Sequence, residues 1–284
     1  MQRELIIELI GAFSIIFCCD EWPATECRET KMKTHHQAVY QQFDQQANSY
    51  LTSQVHAQGE DLLVLQQLLQ GCQDEDVLDL GCGAGHVSFH AAPLVKSVTA
   101  YDLSDSMLNV VANNAQEREL NNITTCKGTA ESLPFGDHCF DRVISRYSAH
   151  HWHDVEQALR EVRRVLKPGG KGIFIDVVSP GHPLLDIYLQ TVEVLRDTSH
   201  IRDYSAGEWS GMFNSAGLFV RRVQSFRLAL EFTSWVERMR TPQPFVEAIR
   251  HYQGTLSDEV KSHFAVQADG SFTSDVMLFE FQCQ

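Results

Sequence analysis

The stretch VLDLGCGAGH, residues 77–86, constrains this chain more than any other segment. An acid-containing apolar run is followed at once by Gly81, Gly83 and Gly85, on alternate positions. A buried strand that opens through small residues into a helix lets backbone approach a ligand closely, as in nucleotide-binding α/β folds. A phosphate-cradling P-loop ends in Gly-Lys-Ser/Thr, whereas His86 and Val87 follow Gly85 here, so that reading is out. A dinucleotide fingerprint needs G-x-G-x-x-G. Here His86 occupies the place of its third glycine, which demotes pyrophosphate binding.

Two acids sharpen the choice. Asp79 closes the first strand, two residues before Gly81; a carboxylate there repels a pyrophosphate and suits an ammonium group. Asp102 lies 21 residues beyond Gly81, at the end of the next apolar run, the spacing of an acid that accepts hydrogen bonds from ribose hydroxyls. A ligand with an ammonium group and a ribose but no phosphates describes S-adenosylmethionine.

The surrounding rhythm is that of an α/β protein. DVLDLGC, SVTAYDLS, a short stretch within ITTCKGTAESLPF, CFDRVISRYSAHHW as it runs into a His-rich loop, and KGIFIDVVSP read as strands. They alternate with helical patterns in HVSFHAAPLV, in DSMLNVVANNAQEREL capped by Ser104, and in DVEQALREVRRV before Pro-Gly-Gly. Nearly continuous apolar strands separated by helices predict a mostly parallel, doubly wound sheet covered on both faces. Helices at 184–196 and 205–216, a strand at 218–226, further short helices and a last strand at 272–282 complete a seven-stranded sheet. The expected organisation is a single domain over 32–284, with a helical cover from 34–70, 180–215 and 231–266.

Taken in order, VLDLGCGAGH, AYDLSDSML, GTAESLPF, FDRVISRYSAHHW and ALREVRRVLKPGG resemble the class I S-adenosylmethionine-dependent methyltransferases. The likeness is specifically to the group that includes the quinone-biosynthesis C-methyltransferases. It covers residues 37–178 strongly and the remainder weakly. The resemblance implies a Rossmann-like fold and S-adenosylmethionine as cofactor, with S-adenosylhomocysteine as product. Gly81, Cys82, Gly83 and Gly85 would form the loop beside the methionyl and ribose portions, with Asp79 near the amino group. Asp102 would bind the ribose hydroxyls, and Leu103 or Met107 would pack on the adenine. Many relatives carry an Asp after the glycine of GTAE; Thr129 stands there instead, so its hydroxyl or the backbone around Ala130 and Glu131 would substitute. Arg146 would line the pocket beside the sulfonium, and Tyr50 would reach the cofactor carboxylate from the preceding helices.

Methyl transfer is an in-line displacement governed by positioning and exclusion of water. Where the nucleophile is a hydroxyl or an acidic carbon, a base near neutrality helps, and histidine fits. His150 and His151 in RYSAHHW are the candidates; the alternative is that they close the loop over Trp152. His35, His36 and His86 have weaker claims, and His200 with Arg202 is placed to face substrate from the cover. No metal site is expected, because ligand residues do not recur at ligand spacing.

Composition narrows the partners. With 37 acidic against 23 basic residues the formal charge is −14, which disfavours nucleic acid. The Asn/Asp-Pro-Pro-Tyr motif of base-methylating enzymes is also absent after the fourth strand. A small-molecule acceptor is expected, methylated on oxygen, carbon or nitrogen. The eight cysteines form no Cys-x-x-Cys pair, which predicts reduced thiols and a cytoplasmic protein. The apolar patch at 9–19 is too short to span a bilayer, and Glu4 and Glu8 stand where a basic amino-terminal region should be. No stable membrane anchor is expected, and residues 1–31 are expected to be a non-native or disordered extension before Met32. Two competing functions remain open: a catalytically silent S-adenosylmethionine-binding protein, and a nicotinamide-dependent oxidoreductase.

Overall fold

The computed structural model describes residues 34–44 and 59–284; the expectations for residues 1–31 and for Tyr50 lie outside them. Residues Thr34–Gln284 form one compact unit. Its centre is a seven-stranded sheet: β1 (Asp76–Leu80), β2 (Ser97–Asp102), β3 (Ile123–Lys127), β4 (Phe140–Arg146), β5 (Leu166–Val177), β6 (Leu218–Leu230) and β7 (Phe272–Cys283). The spatial order is β3-β2-β1-β4-β5-β7-β6. The first five strands are parallel, and β7 enters antiparallel between β5 and β6.

Neighbouring residues of each central strand point to opposite faces, and here both faces are apolar. Val77, Ile144, Ile173, Ile175 and Leu278 belong to one buried cluster, with Leu65, Leu189 and Trp235. Leu78, Val143, Phe174 and Phe279 belong to another, with Trp209 and Phe213. Both clusters need a helical layer, which is why the strands read as continuous apolar runs. On the first face lie Glu60–Leu68, Pro183–Arg196, Phe232–Arg238 and Gln243–Gly254. On the second lie Val155–Val165 and Ala206–Ser215. The last helix, inside the expected cover segment 180–215, therefore packs on the opposite side from Pro183–Arg196.

Helix Val155–Val165 shows how the sequence encodes one layer. Asp154 accepts a hydrogen bond from Gln157 N and caps the first turn, while Val155, Ala158, Leu159, Val162 and Val165 are buried. Each of the larger apolar side chains contributes roughly 1.5–3 kcal/mol on burial. Gly172 is needed within β5: a Cβ there would lie 2.1 Å from Phe281 Cζ. The β6 strand runs to Leu230, four residues past the sequence expectation, because its pairing with β7 continues to Leu230 opposite Phe272.

A cleft at the ends of the central strands

The C-terminal ends of β1, β2 and β4 open onto a cleft with about 1060 Å³ of empty space, its open mouth included. Helix His35–Asp44 forms one rim through His36, Val39, Tyr40 and Phe43. The glycine loop forms the floor, and its three glycines are required for three different reasons. Gly81 (φ +73°) would drive a Cβ to 1.9 Å from Ser148 Oγ. Gly85 (φ +90°) would bring one to 2.9 Å from Phe89 Cζ and Val111 Cγ2, and it does not line the cleft. Gly83 (φ +51°) meets nothing within 4 Å and does line it.

The loop spends its own amides. Gly81 N and Cys82 N donate to Tyr101 O, and Gly85 N to Cys82 O. Gly83 N donates to Asp102 Oδ2 at 2.8 Å, and Ser104 N to Asp102 Oδ1 at 2.9 Å. With four of its amides, those of Gly81, Cys82, Gly83 and Gly85, committed in this way, the loop is a poor pyrophosphate cradle. Asp102 thus holds the loop against the next helix, while each carboxylate oxygen keeps a second acceptor direction. Ser104 caps helix Asp105–Glu117, as the sequence suggests.

Asp79 is buried at the floor of the cleft. Its Oδ2 accepts from Ser88 Oγ at 2.6 Å, and its Oδ1 has no hydrogen-bond partner among the described residues. Burial outweighs the Ser88 hydrogen bonds and raises the carboxyl to about 7. A half-satisfied buried carboxylate in a cleft calls for a donor from outside the chain.

The opposite wall runs through Gly128, Thr129, Ala130 and Glu131. Tyr101 OH donates to Thr129 O (3.0 Å) and Ser132 O (3.3 Å), which fixes the backbone of this wall. Glu131 accepts from Asp154 N and lies 3.4 Å from His36 Nε2, so it joins wall to rim. Leu103, Met107 and Cys82 also line the cleft; Met107 packs with Ala84 and Phe43, and Cys82 with Phe89 and Ala100.

Arg146 reaches the cleft, but it is no lone cation beside it. Its guanidinium forms a buried ion pair with Asp61, at 2.5 Å from Nε to Oδ2. The next residue, Tyr147, adopts left-handed backbone (φ +53°) and donates its N–H to Ile175 O. That turn carries Ser148 to His151 over the end of the sheet, and Trp152 Nε1 donates to Ser148 Oγ at 3.1 Å.

The two candidate histidines separate. His151 lines both the cleft and a second cavity with about 580 Å³ of empty space, its opening included, whereas His150 lines only the second. His150 Nδ1 donates to Asp176 Oδ1 at 2.6 Å. His200 joins them, with ring centroids 4.2–6.4 Å apart within the trio. Burial opposes charge on all three, but Asp176 overrides it at His150 and raises that imidazole to about 9. Burial and the His150 charge hold His151 at about 4 and His200 at about 2. One imidazolium is what so small a space supports, and Asp176 decides which ring carries it.

Asp61, Ser88 and Asp176 line neither cavity but bond residues that do, Arg146, Asp79 and His150, and nothing local in the sequence points to those pairings. Asp176, an acid within the apolar run IFIDVV, carries the same signal as Asp79. Among the described residues no group of three or more His, Cys, Asp or Glu is placed to hold a metal ion. None of their helices is long and apolar enough to cross a membrane.

Comparison with known proteins agrees with this geometry. Residues 78–174 match the family model described as a methyltransferase domain. The chain is 59% identical over 200 residues to the uncharacterized protein YafE of Escherichia coli K12, covering 70% of this chain and 97% of that protein. It is 37% identical over 224 residues to the uncharacterized methyltransferase YcgJ of Bacillus subtilis 168, covering 79% and 88%. The crystal structure of YcgJ superposes with a TM-score of 0.75 at 34% identity, over 78% of this chain and 97% of that one. The likeness to the quinone-biosynthesis group is carried by a demethylmenaquinone methyltransferase of Listeria welshimeri, 32% identical over 163 residues, 56% of this chain and 67% of that protein. The chain belongs to the class I S-adenosylmethionine-dependent methyltransferases. It is an α/β enzyme of that class, with the seven-stranded sheet described above.

Proposed function

We propose that the cleft binds S-adenosylmethionine and that the enzyme methylates a small-molecule acceptor, releasing S-adenosylhomocysteine. The observation that carries this reading is Asp79: a buried carboxylate with one unpartnered oxygen, on the floor of a cleft whose glycine loop has four of its amides already committed. Such a site fits an ammonium-bearing ligand and resists a pyrophosphate, which disfavours the nicotinamide reading. In this proposal Asp79 receives the amino group and Asp102 the ribose hydroxyls through its remaining lone pairs. Gly81, Cys82 and Gly83 form the floor; Gly85 acts from beneath, by fitting the helix to the core. Leu103 and Met107 flank the adenine, with the backbone of Thr129, Ala130 and Glu131 opposite. Arg146, neutralised by Asp61, shapes the pocket without opposing the cationic sulfonium. When bound, the cofactor supplies an electrophilic methyl group.

His151, at the junction of the two cavities, remains neutral and packs edge-on against Phe43 with ring centroids 4.9 Å apart. We assign it to shielding that junction from water, and leave the charged role to His150. A cytoplasmic setting fits the unpaired thiols of Cys72, Cys82, Cys126, Cys139 and Cys283.

Calorimetric titration with S-adenosylmethionine, S-adenosylhomocysteine and NADH in parallel tests the proposal. Saturable binding of the first two alone is expected. Binding of NADH alone would sink it, and cofactor binding without turnover on any acceptor would favour the silent-binder alternative.

A further inference from the structure

We propose that the second cavity holds the methyl acceptor, and that this acceptor carries an acidic hydroxyl, phenolic or enolic, bound as its oxyanion against the Nε2–H of the His150 imidazolium. This rests on the methyl-transfer reading above. The two cavities share Phe43, Tyr147 and His151 in their linings, so an occupant of the second lies beside the cleft. Val177, Leu228, Leu230 and Trp235 give the second cavity apolar walls suited to a flat, conjugated molecule. The rest of the lining is largely ionisable, with His150, His151, Glu193, Arg196, Asp203 and Arg238, so an occupant needs polar groups as well as an apolar face.

His150 is held to face an anion. Its Nδ1 is tied to Asp176, whose carboxylate is itself fixed by Ala149 N at 3.0 Å and Val177 N at 2.9 Å. Nε2 makes no hydrogen bond to the described residues and is the ring atom left to meet a ligand. Asp203 gives a second, independent pointer: it is 2% exposed, lines the same cavity, and its Oδ2 has no hydrogen-bond partner. A buried carboxyl left in this state beside a cavity is suited to a second polar group on the ligand.

Charge and basicity select among acceptors. Besides Asp176, the groups facing His150 are His151 beside it, His200, Arg202 and Asp203 from the following loop, Glu193 and Arg196 from helix Pro183–Arg196, and Arg238 from helix Phe232–Arg238. Asp176 outweighs burial and makes this imidazole a stronger base than a free one. Beside that imidazolium a tyrosine-like hydroxyl, with a pKa of about 10 when free, ionises more readily, whereas an aliphatic alcohol stays un-ionised. An ammonium acceptor would face Arg196, Arg238 and the imidazolium together. In the step itself, the hydroxyl proton leaves to solvent as the acceptor binds, and the imidazolium Nε2–H donates a hydrogen bond to the oxyanion. An electron pair of the resulting oxyanion then forms the bond to the methyl carbon. The sulfur–methyl bond breaks, and its pair stays on sulfur.

The test uses the full chain and 4-nitrophenol, whose anion has a visible absorption band. With S-adenosylhomocysteine present, at a pH where the free phenol is un-ionised, native protein is expected to bind it as the anion. His150→Gln should bind it roughly 10- to 100-fold more weakly, the range for loss of a charge-assisted hydrogen bond, and without the band. Asp176→Asn should move the appearance of the band to higher pH, a change that a merely structural role would not produce. Leu228→Trp, which fills the cavity, should abolish binding. Calorimetry with S-adenosylmethionine on every variant shows that the fold and the cleft persist. Nitrophenol bound un-ionised, not bound at all, or bound as anion equally well by His150→Gln would each overturn the proposal. If native protein binds the anion but not S-adenosylmethionine, the methyl-transfer reading fails instead.

Discussion

Arg146 and Asp61 are 85 residues apart in sequence and form a buried ion pair that ties helix Glu60–Leu68 to the end of β4. Removing one partner of such a pair leaves a charge in a poorly solvated place, at a cost of about 3–5 kcal/mol. Asp61→Ala should therefore lower the urea midpoint by a matching amount and weaken S-adenosylmethionine binding. Arg146→Met combined with Asp61→Leu should recover most of the stability but not the affinity. Equal stability of Asp61→Ala and native protein would show that the pair is solvated.

The glycine loop offers a contrast between neighbours. Gly83→Ala places a methyl in the cleft at the cost of left-handed backbone, about 1 kcal/mol. It should fold nearly normally yet bind cofactor poorly. Gly85→Ala adds collisions with Phe89 and Val111 to a φ of +90° and should lose clearly more stability. Thermal melts and calorimetry on the two variants check this, and the reverse ranking would contradict the placement of the loop.

Asp102→Ala removes a carboxylate that anchors Gly83 N and is proposed to meet the ribose. Loss of charge-assisted hydrogen bonds predicts ~1.5–3 kcal/mol weaker S-adenosylmethionine binding in a folded variant. Unchanged affinity by calorimetry would remove Asp102 from the site.

The raised carboxyl of Asp79 couples both stability and binding to pH. An unfolded aspartate ionises near 4, but the folded one only near 7. Between these values folding takes up a proton, so stability of the ligand-free protein should fall as pH rises from about 4 to about 7, and Asp79 should add nothing further above that. The contribution amounts to at most about 4 kcal/mol. Binding of an ammonium-bearing ligand requires the carboxylate, so affinity should rise up to tenfold per pH unit below 7 and level off above. Asp79→Asn should flatten both profiles. A pH-independent affinity in native protein would mean that the amino group lies elsewhere.

The elements of the sheet were legible in the sequence because each strand is an apolar run bounded by turn residues. Strand order was less legible: nothing in the periodicity of 272–283 says that it enters between β5 and β6. The floor of the cleft could be read from Asp79 and Asp102, because acids at strand ends stand out locally. Asp61 could not, since its meaning depends on Arg146 far along the chain. His150 and His151 looked equivalent as adjacent histidines. They differ in their partners, His150 pairing with Asp176 and His151 packing on Phe43, and both partners lie far from RYSAHHW in sequence.

The position of β7 also sets a timetable. This strand is made after both of its neighbours, and β6 pairs with it alone. On the ribosome, at roughly 5–20 residues per second, several seconds separate the synthesis of 218–230 from that of 272–283. Throughout that interval one edge of β5 and the whole of β6 await a partner, with Phe174 and Ile175 open to wrong pairings. A nascent chain stalled before 272 would thus lack an interior strand rather than a trimmed border, and it would be the form most in need of a chaperone.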